Sequence, residues 1–256
     1  KGGGDGQRLV LRNADFSFQS MPRIDLSDCS LHMANFSRGV FTLVNFSGAD
    51  LLGSDFSLSD LRKTNFLKAD LRGCNLGKAQ LAQANFTDAD LRPGQIMVAE
   101  DGEEKQKEQS TSLRGARMDG AKLNRADLSK VDMAVSSAEG ADFSESTLYQ
   151  VNLAGADLSE ANFEGARLRD ATLVGAKVDG ANFNDADLRG ANLRSVDTSK
   201  ADMTGAYTAG AILNDHKPDL PGLIQRMVDM HALWVASDGE DGERADFSEN
   251  DLKGLD

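Results

Sequence analysis

The sequence predicts an all-β solenoid, a coil in which four five-residue sides close each turn, with an amphipathic helix near the C-terminal end. Two periodicities predict the coil. The first is a five-residue beat, clearest from Ala141 to Leu193, in which alanine or another small residue sits two places before each Leu or Phe: Ala156 before Leu158, Ala161 before Phe163, Ala166 before Leu168. An α-helix advances about 100° per residue, so a step of five smears these apolar pairs around the cylinder and leaves no buried face. A straight strand fails as well, because an odd repeat sends successive Leu and Phe to opposite faces. The chain must turn every five residues, with the small residue and the Leu or Phe both pointing inward.

The second periodicity counts the sides. Nine of the twelve phenylalanines fall into three ladders with a spacing of twenty: Phe16, Phe36 and Phe56; Phe46, Phe66 and Phe86; Phe143, Phe163 and Phe183. Four sides therefore make one turn, and like rings stack one coil above another at the strand spacing of about 4.8 Å. With beats reading ADFSE, ANFEG and ANFND, the chain resembles the pentapeptide-repeat family, whose motif is A(D/N)LXX. That resemblance implies a right-handed quadrilateral β-helix. It also implies a choice of functions, because some members resemble duplex DNA in width and charge, bind type II topoisomerases where DNA would sit, and confer quinolone resistance.

The elements follow in order. Residues 1–8 open with KGGGDGQ, a glycine-rich flexible lead. A first array occupies 9–96, its inward centres running in fives from Leu11 to Ile96 for eighteen sides. Cys29 and Cys74 take small inward positions nine sides apart, an axial offset of about 11 Å at the usual spacing. That is too far for a disulfide and points to two space-filling thiols in a reducing compartment. The beat breaks over 97–112, read as a protruding loop with five acids against two lysines. A second array keeps register from Leu113 to Leu213, twenty-one sides, with weak centres at Ala138 and Thr198 on one shared side.

Beyond Leu213 the pattern changes. Leu220, Leu223, Ile224, Met227, Met230 and Trp234 follow the three- and four-residue steps of an amphipathic helix within residues 214–256, with Asp219 as cap and Gly239 as stop. Such a helix would cover the open end of the coil or join two chains as a homodimer, and two repeat-like sides follow it at Phe247 and Leu252. The segment HALWVASDGEDGERADF resembles a junction found in bacterial pentapeptide proteins.

Composition narrows function by exclusion. The net charge is −13, with the first array neutral, the second −4, the loop −3 and residues 214–256 −7. No apolar run reaches membrane-spanning length, no secretory pattern opens the sequence, and the acidic total opposes direct nucleic-acid binding, so a cytoplasmic chain is expected. His32, His216 and His231 have no ligand-spaced partners, and no serine or cysteine has a base implied by its spacing, so no catalytic, cofactor or metal residue is expected. What remains is a non-catalytic scaffold that binds a protein partner. The alternative is a DNA-mimicking modulator of gyrase, similar to the quinolone-resistance members. Candidate partner-binding residues are Glu100, Asp101, Glu103 and Glu104 in the loop and Met227, Met230 and Trp234 on the helix face. Two adjoining sides of the second array carry acids for the alternative. One has Asp119, Glu139, Asp157, Glu160, Asp179 and Asp197; the next has Asp142, Glu145, Glu164, Asp185 and Asp202.

Overall fold

The computed structural model describes residues 8–100 and 103–213. Within them the chain winds as one coil held by parallel bridges between residues twenty apart, from Val10↔Ser30 to Asn192↔Ile212. The predicted helix, its Met227, Met230 and Trp234, and the repeat-like sides after it lie outside the described residues, as does Asp101. Among the described residues, no helix is long and apolar enough to cross a membrane.

Sides with Asp or Asn at the bridging position solve the same hydrogen-bonding problem in the same way. On the side centred on Phe36, Ala34 N–H donates to Leu31 O (3.2 Å) to close the preceding corner, and Asn35 N–H reaches Ala14 O one coil back (2.9 Å). Phe36 N–H donates to Asp55 O (2.7 Å) and Arg38 N–H to Ser57 O (2.9 Å), both one coil forward. One amide is left, that of Ser37, and the Asn35 side chain accepts it at 3.0 Å. Asp and Asn repeat this service around the coil, at Asp15, Asp55, Asp90, Asp142, Asn162 and Asp202 among others. The D/N of the five-residue motif is therefore a corner acceptor: where it is present, an Asx side chain takes up the one N–H that the ladder cannot reach.

The corner also demands a left-handed residue. Its third position has φ near +60°, the mark of a type II turn, at Arg38 (59°), Gln83 (60°) and Glu160 (58°) as well as at glycines such as Gly175 (66°). Placing a non-glycine residue there costs about 1–2 kcal/mol. The fold tolerates this at most corners because hydrogen bonds to both neighbouring coils hold the backbone in place.

Inside, the centres and small residues form one unbroken core from Cys29 to Val196. All three phenylalanine ladders stack as predicted. The rings of Phe143, Phe163 and Phe183 lie 4.8 Å apart and within 2° of parallel. Bridges continue across the insertion, through Asn85↔Lys122 and Lys122↔Asp142, so the Phe46 and Phe143 ladders share one wall with Leu123 between them. The Phe36 ladder lines the opposite wall, and rings meet edge-to-face across the interior, Phe46 to Phe56 at 5.7 Å. Inward serines and threonines return their hydroxyls to the coil, Ser54 to Leu31 O at 2.8 Å and Thr64 to Phe41 O at 2.9 Å. Both cysteines are free and buried, and burial pushes their thiol pKa values up. The side holding Ala138 and Thr198 is where a ladder stops first, at Lys177.

The insertion departs from expectation. Instead of a loop over 97–112, it is a β-hairpin of β1 (Gly94–Glu100) and β2 (Glu103–Gln109), antiparallel with Gly94 opposite Gln109. Ile96 belongs to β1 and is not the centre of an eighteenth side. The place one coil above Asn75 is taken by Ser112, a spacing of 37 where the coil otherwise keeps 20, so Leu113 is the centre that follows Leu91. Ile96 misled because an apolar residue happened to fall on the five-residue beat. The signal for a hairpin was also present. Two segments of similar length flank Asp101-Gly102, and Asp-Gly favours a tight hairpin turn.

Truncating the middle ring of a stack tests the core. Phe163→Ala should lower the stability of the coil by about 3–5 kcal/mol, measured as a fall in the urea midpoint. An unchanged midpoint would mean the stacked rings do not support the coil.

Candidate functional site

The outward surface is the only place where sequence can vary without touching the core or the ladder. Each side offers three outward residues: the bridging residue, the one after the centre, and the left-handed corner residue. The four faces are named here by their bridges: Asp50↔Asp70, Asn35↔Asp55, Val40↔Asp60 and Asn45↔Asn65.

On the Asp50 face, charge is zipped into pairs. Asp70 takes the Arg72 guanidinium through both oxygens (2.9 and 2.6 Å), and Arg72 also lies 3.8 Å from Asp90. Asp90 takes Arg92 (3.0 and 2.7 Å), which lies 3.5 Å from Asp127. The same two-residue fork joins Asp60 to Arg62 and Asp187 to Arg189. Bonds from Arg62 and Arg189 hold the Asp60 and Asp187 carboxyls below their ordinary pKa. At Asp90, burial pushes the pKa up, and the bonds from Arg92 more than offset it. His32 contacts the Asp50 carboxylate and is therefore not simply solvated.

The hairpin folds back over the corner that follows this face, and three glycines seat it. A Cβ on Gly94 would lie 2.6 Å from Leu52 Cδ1 and 3.0 Å from the Arg72 backbone; one on Gly53 would lie 2.5 Å from Met33 Sδ and 2.9 Å from Ile96 Cγ2. At the base, the Gln109 side chain donates to Gly73 O, and Thr111 Oγ accepts from Gly73 N–H at 2.8 Å. Ile96 is buried and Met97 is 53% exposed, so β1 turns one edge of its alternation to the coil and the other to solvent. The register places Gln106 opposite Met97 and Glu108 opposite Gln95, which gives the outer surface Met97, Gln106 and Glu108. Of the predicted loop acids, Glu104 is exposed on β2, while Glu100 and Glu103 pair at the ends of the strands next to the turn. Sequence reasoning missed Met97 and Glu108 because a loop has no outer face to assign. The repeated corner glycines Gly53 and Gly73 carried the missing signal.

The acids of the second array separate into two kinds. On the Val40 face they are interleaved with bases, Asp157 with Lys177 at 3.3 Å and Asp179 with Lys200 at 2.7 Å. On the Asn45 face no Lys or Arg occupies an outward position after Arg125, and Asp142, Glu145, Glu164, Asp185 and Asp202 remain. Asp142 and Asp202 serve their own corners. Glu145, Glu164 and Asp185 line a shallow cleft of about 280 Å³ with Asn162. Among the described residues, no group of three or more His, Cys, Asp or Glu is placed to hold a metal ion.

A coil of five-residue sides with Asx corners has a counterpart among known proteins. Eight copies of the pentapeptide-repeat family model match residues 10–43, 40–77, 67–92, 109–134, 139–173 and 171–207. The chain belongs to the pentapeptide-repeat family. No curated protein matches it. Among solved structures it is similar to HetL, a pentapeptide repeat protein involved in heterocyst differentiation regulation from the cyanobacterium Nostoc sp. strain PCC 7120 (27% identity, 81% of this chain and 92% of that chain, TM-score 0.40). It is also similar to QnrB1, a plasmid-mediated fluoroquinolone resistance protein (20% identity, 86% and 96%, TM-score 0.41). A third is Rfr23 from the cyanobacterium Cyanothece 51142 (26% identity, 56% and 90%, TM-score 0.18).

Two outcomes test this surface. Carboxyls depressed in the folded state stabilise it above their unfolded pKa of about 3.9, and that contribution is lost as pH falls through the lower folded values. Urea midpoints measured from about pH 6 down to about pH 2 should fall at the acid end, and Asp187→Asn should show a shallower fall than the unaltered chain. Gly94→Val should unseat the hairpin at a cost of about 1–3 kcal/mol, read as faster tryptic cleavage at Lys105 and Lys107 with the coil intact. Unchanged cleavage would mean the hairpin does not depend on that close approach.

Proposed function

We infer that this pentapeptide-repeat chain is a non-catalytic scaffold for binding another protein. The observation that carries this reading is the backbone accounting: each side buries two of its five residues, and its amides are met by the neighbouring coils and, where the bridging residue is Asp or Asn, by that side chain. The outward residues without that duty are left to specify a partner on flat walls. Such surfaces suit recognition with little ordering cost on binding. The seated hairpin, with Met97 and Glu108 outward, is the part of the described chain that departs most from the repeat, and the candidate acids Glu100, Asp101, Glu103 and Glu104 fall in the same stretch of sequence. We assign it the partner-selecting role, shared with the Met227, Met230 and Trp234 segment, which serves a homodimer or a cap. Two free, buried thiols suit work in a reducing cytoplasm.

One observation favours a second reading, modulation of type II topoisomerase by DNA mimicry. Beyond Lys122 and Arg125, the Asn45 face of the second array carries acids and no bases, and the similar QnrB1 is a fluoroquinolone resistance protein. The scaffold reading is preferred because the other acidic face is interleaved with bases, which breaks the run of negative potential a mimic needs.

Purified gyrase and an untargeted lysate, each presented to the immobilised full chain, separate the two. The scaffold reading expects a lysate partner whose association slows when Glu100, Asp101, Glu103 and Glu104 are replaced by Ser, more so at low salt. Inhibition of gyrase supercoiling that is lost on replacing Glu145, Glu164 and Asp185 by Ser would favour the mimic instead.

A further inference from the structure

We propose that one corner of the coil, from Phe18 to Val135, docks an acidic polypeptide segment bearing aliphatic side chains. The proposal rests on the scaffold reading and names a surface and a partner chemistry for it. This corner follows the Asn35 face, and its left-handed residues run, coil by coil, Phe18, Arg38, Leu58, Lys78, Gly115 and Val135. The residues just before them are Ser17, Ser37, Ser57, Gly77, Arg114 and Ala134. Neither row contains an acid as far as Ser195, whereas the same two rows at the other corners hold Asp170, Glu160 and Asp185 among others. On a chain of net charge −13, these two rows are free of acids and carry Arg38, Lys78 and Arg114, the last of which also lies 3.5 Å from Asp132 on the adjoining face.

Its apolar members are costly where they stand. Phe18 is 73% exposed, Leu58 45% and Val135 57%, at φ of 59°, 61° and 53°. A bulky or β-branched side chain in the left-handed region is strained, and glycine or a lysine serves the same turn elsewhere in the coil. Leu43, 45% exposed at φ 60°, takes the same position at another corner, but only at this corner do exposed apolar residues recur, on alternate coils with cations. Strain of this kind collects at binding surfaces.

The strip also has a concavity. Between Leu58 and Val135, the missing side chains of Gly77 and Gly115 open a cleft of about 320 Å³, with Lys78 and Arg114 at its rim. At Gly115 even a Cβ would meet only the Lys78 side chain, at 3.4 Å. Below it, the Arg38 guanidinium stands 6.0 Å from the centre of the Phe18 ring, which presents a cation and an apolar plate together. An aliphatic side chain fills the cleft while carboxylates meet the three cations. The acidic stretch of the Asn45 face from Asp142 to Asp202 repels the same segment, which confers specificity by charge. Nucleic acid fits less well, because the anchors are aliphatic and a single aromatic offers little stacking.

The test pans a displayed library of random dodecapeptides on the full chain, with counter-selection against Leu58→Ser/Val135→Ser, whose changes lie on the surface. Enriched peptides should be rich in Asp, Glu, Leu and Ile. They should bind the unaltered chain at least tenfold more tightly than the double variant, weaken with salt, and lose affinity for Lys78→Glu/Arg114→Glu. Failure to enrich, equal affinity for the double variant, or neutral or basic consensus peptides would overturn the proposal. So would an oligothymidine that binds more tightly and competes, or self-association in sedimentation that the double variant abolishes, which would assign the strip to nucleic acid or to a second copy. A lysate partner held equally by both forms would leave the scaffold reading standing and remove this corner from it.

Discussion

The corners of the coil share one recurring hydrogen bond, from the amide after an inward centre to the Asx oxygen two residues earlier, wherever the bridging residue is Asp or Asn. Four of the five amides on a side find carbonyls in the preceding corner or in the adjoining coils; the fifth faces outward at the turn, where no carbonyl is within reach. Supplying the acceptor from within the side makes a five-residue unit with Asp or Asn at that position complete in its donors. That completeness allows the unit to be repeated without regard to what its outward residues are. Along the Asn45 face the same side chains also bond to one another, Asn65 to Asn45 and Asn85 to Asn65 at 3.0 Å each, so the corner acceptors form a ladder parallel to the ring stack inside.

This bond changes how the charge should be interpreted. Much of the acidity of the arrays is structural: Asp15, Asp55 and Asp142 each accept their own corner amide, and Asp90 and Asp187 accept theirs while also holding an arginine fork. A carboxylate so engaged still contributes to the field but is not free to reorganise around a ligand. Acids placed at corner positions, such as Glu145 and Asp185, have no such duty and are the better guide to recognition. Net charge alone conceals this division. The first array is neutral in total, yet its acids and bases are sorted: three of its corners carry cations and no acids, and only the corner after the Asn45 face carries Asp28 and Asp88.

The coil was legible in the sequence because its constraint is periodic. A spacing of five with two inward residues excludes other elements, and Phe143, Phe163 and Phe183 count the sides of a turn directly. The hairpin was not, because a register search treats any apolar residue on the beat as a continuation, and Ile96 sat on the beat by coincidence. Its signal is the Asp101-Gly102 pair, which has no period, and its seat is written in Gly53 and Gly73, which lie up to two coils away from it in sequence. The shared wall of the two later phenylalanine ladders was hidden by the same insertion, since 143 minus 86 is not a multiple of twenty until the seventeen added residues are removed. Outward sites were the least legible. Phe18, Leu58 and Val135 are far apart in sequence, and only the stacking of coils makes them neighbours.

The hairpin enters and leaves at a corner while the bridge from Asn75 passes directly to Ser112. Length at a corner is thus uncoupled from register on the sides. Each corner is a port into which chain can be spliced without re-indexing anything downstream, provided the coils beneath offer small residues to receive it. Such ports recur at the spacing of the coils, about 4.8 Å, along four edges. A protein built this way can acquire recognition elements one at a time, at chosen heights, and keep the same interior.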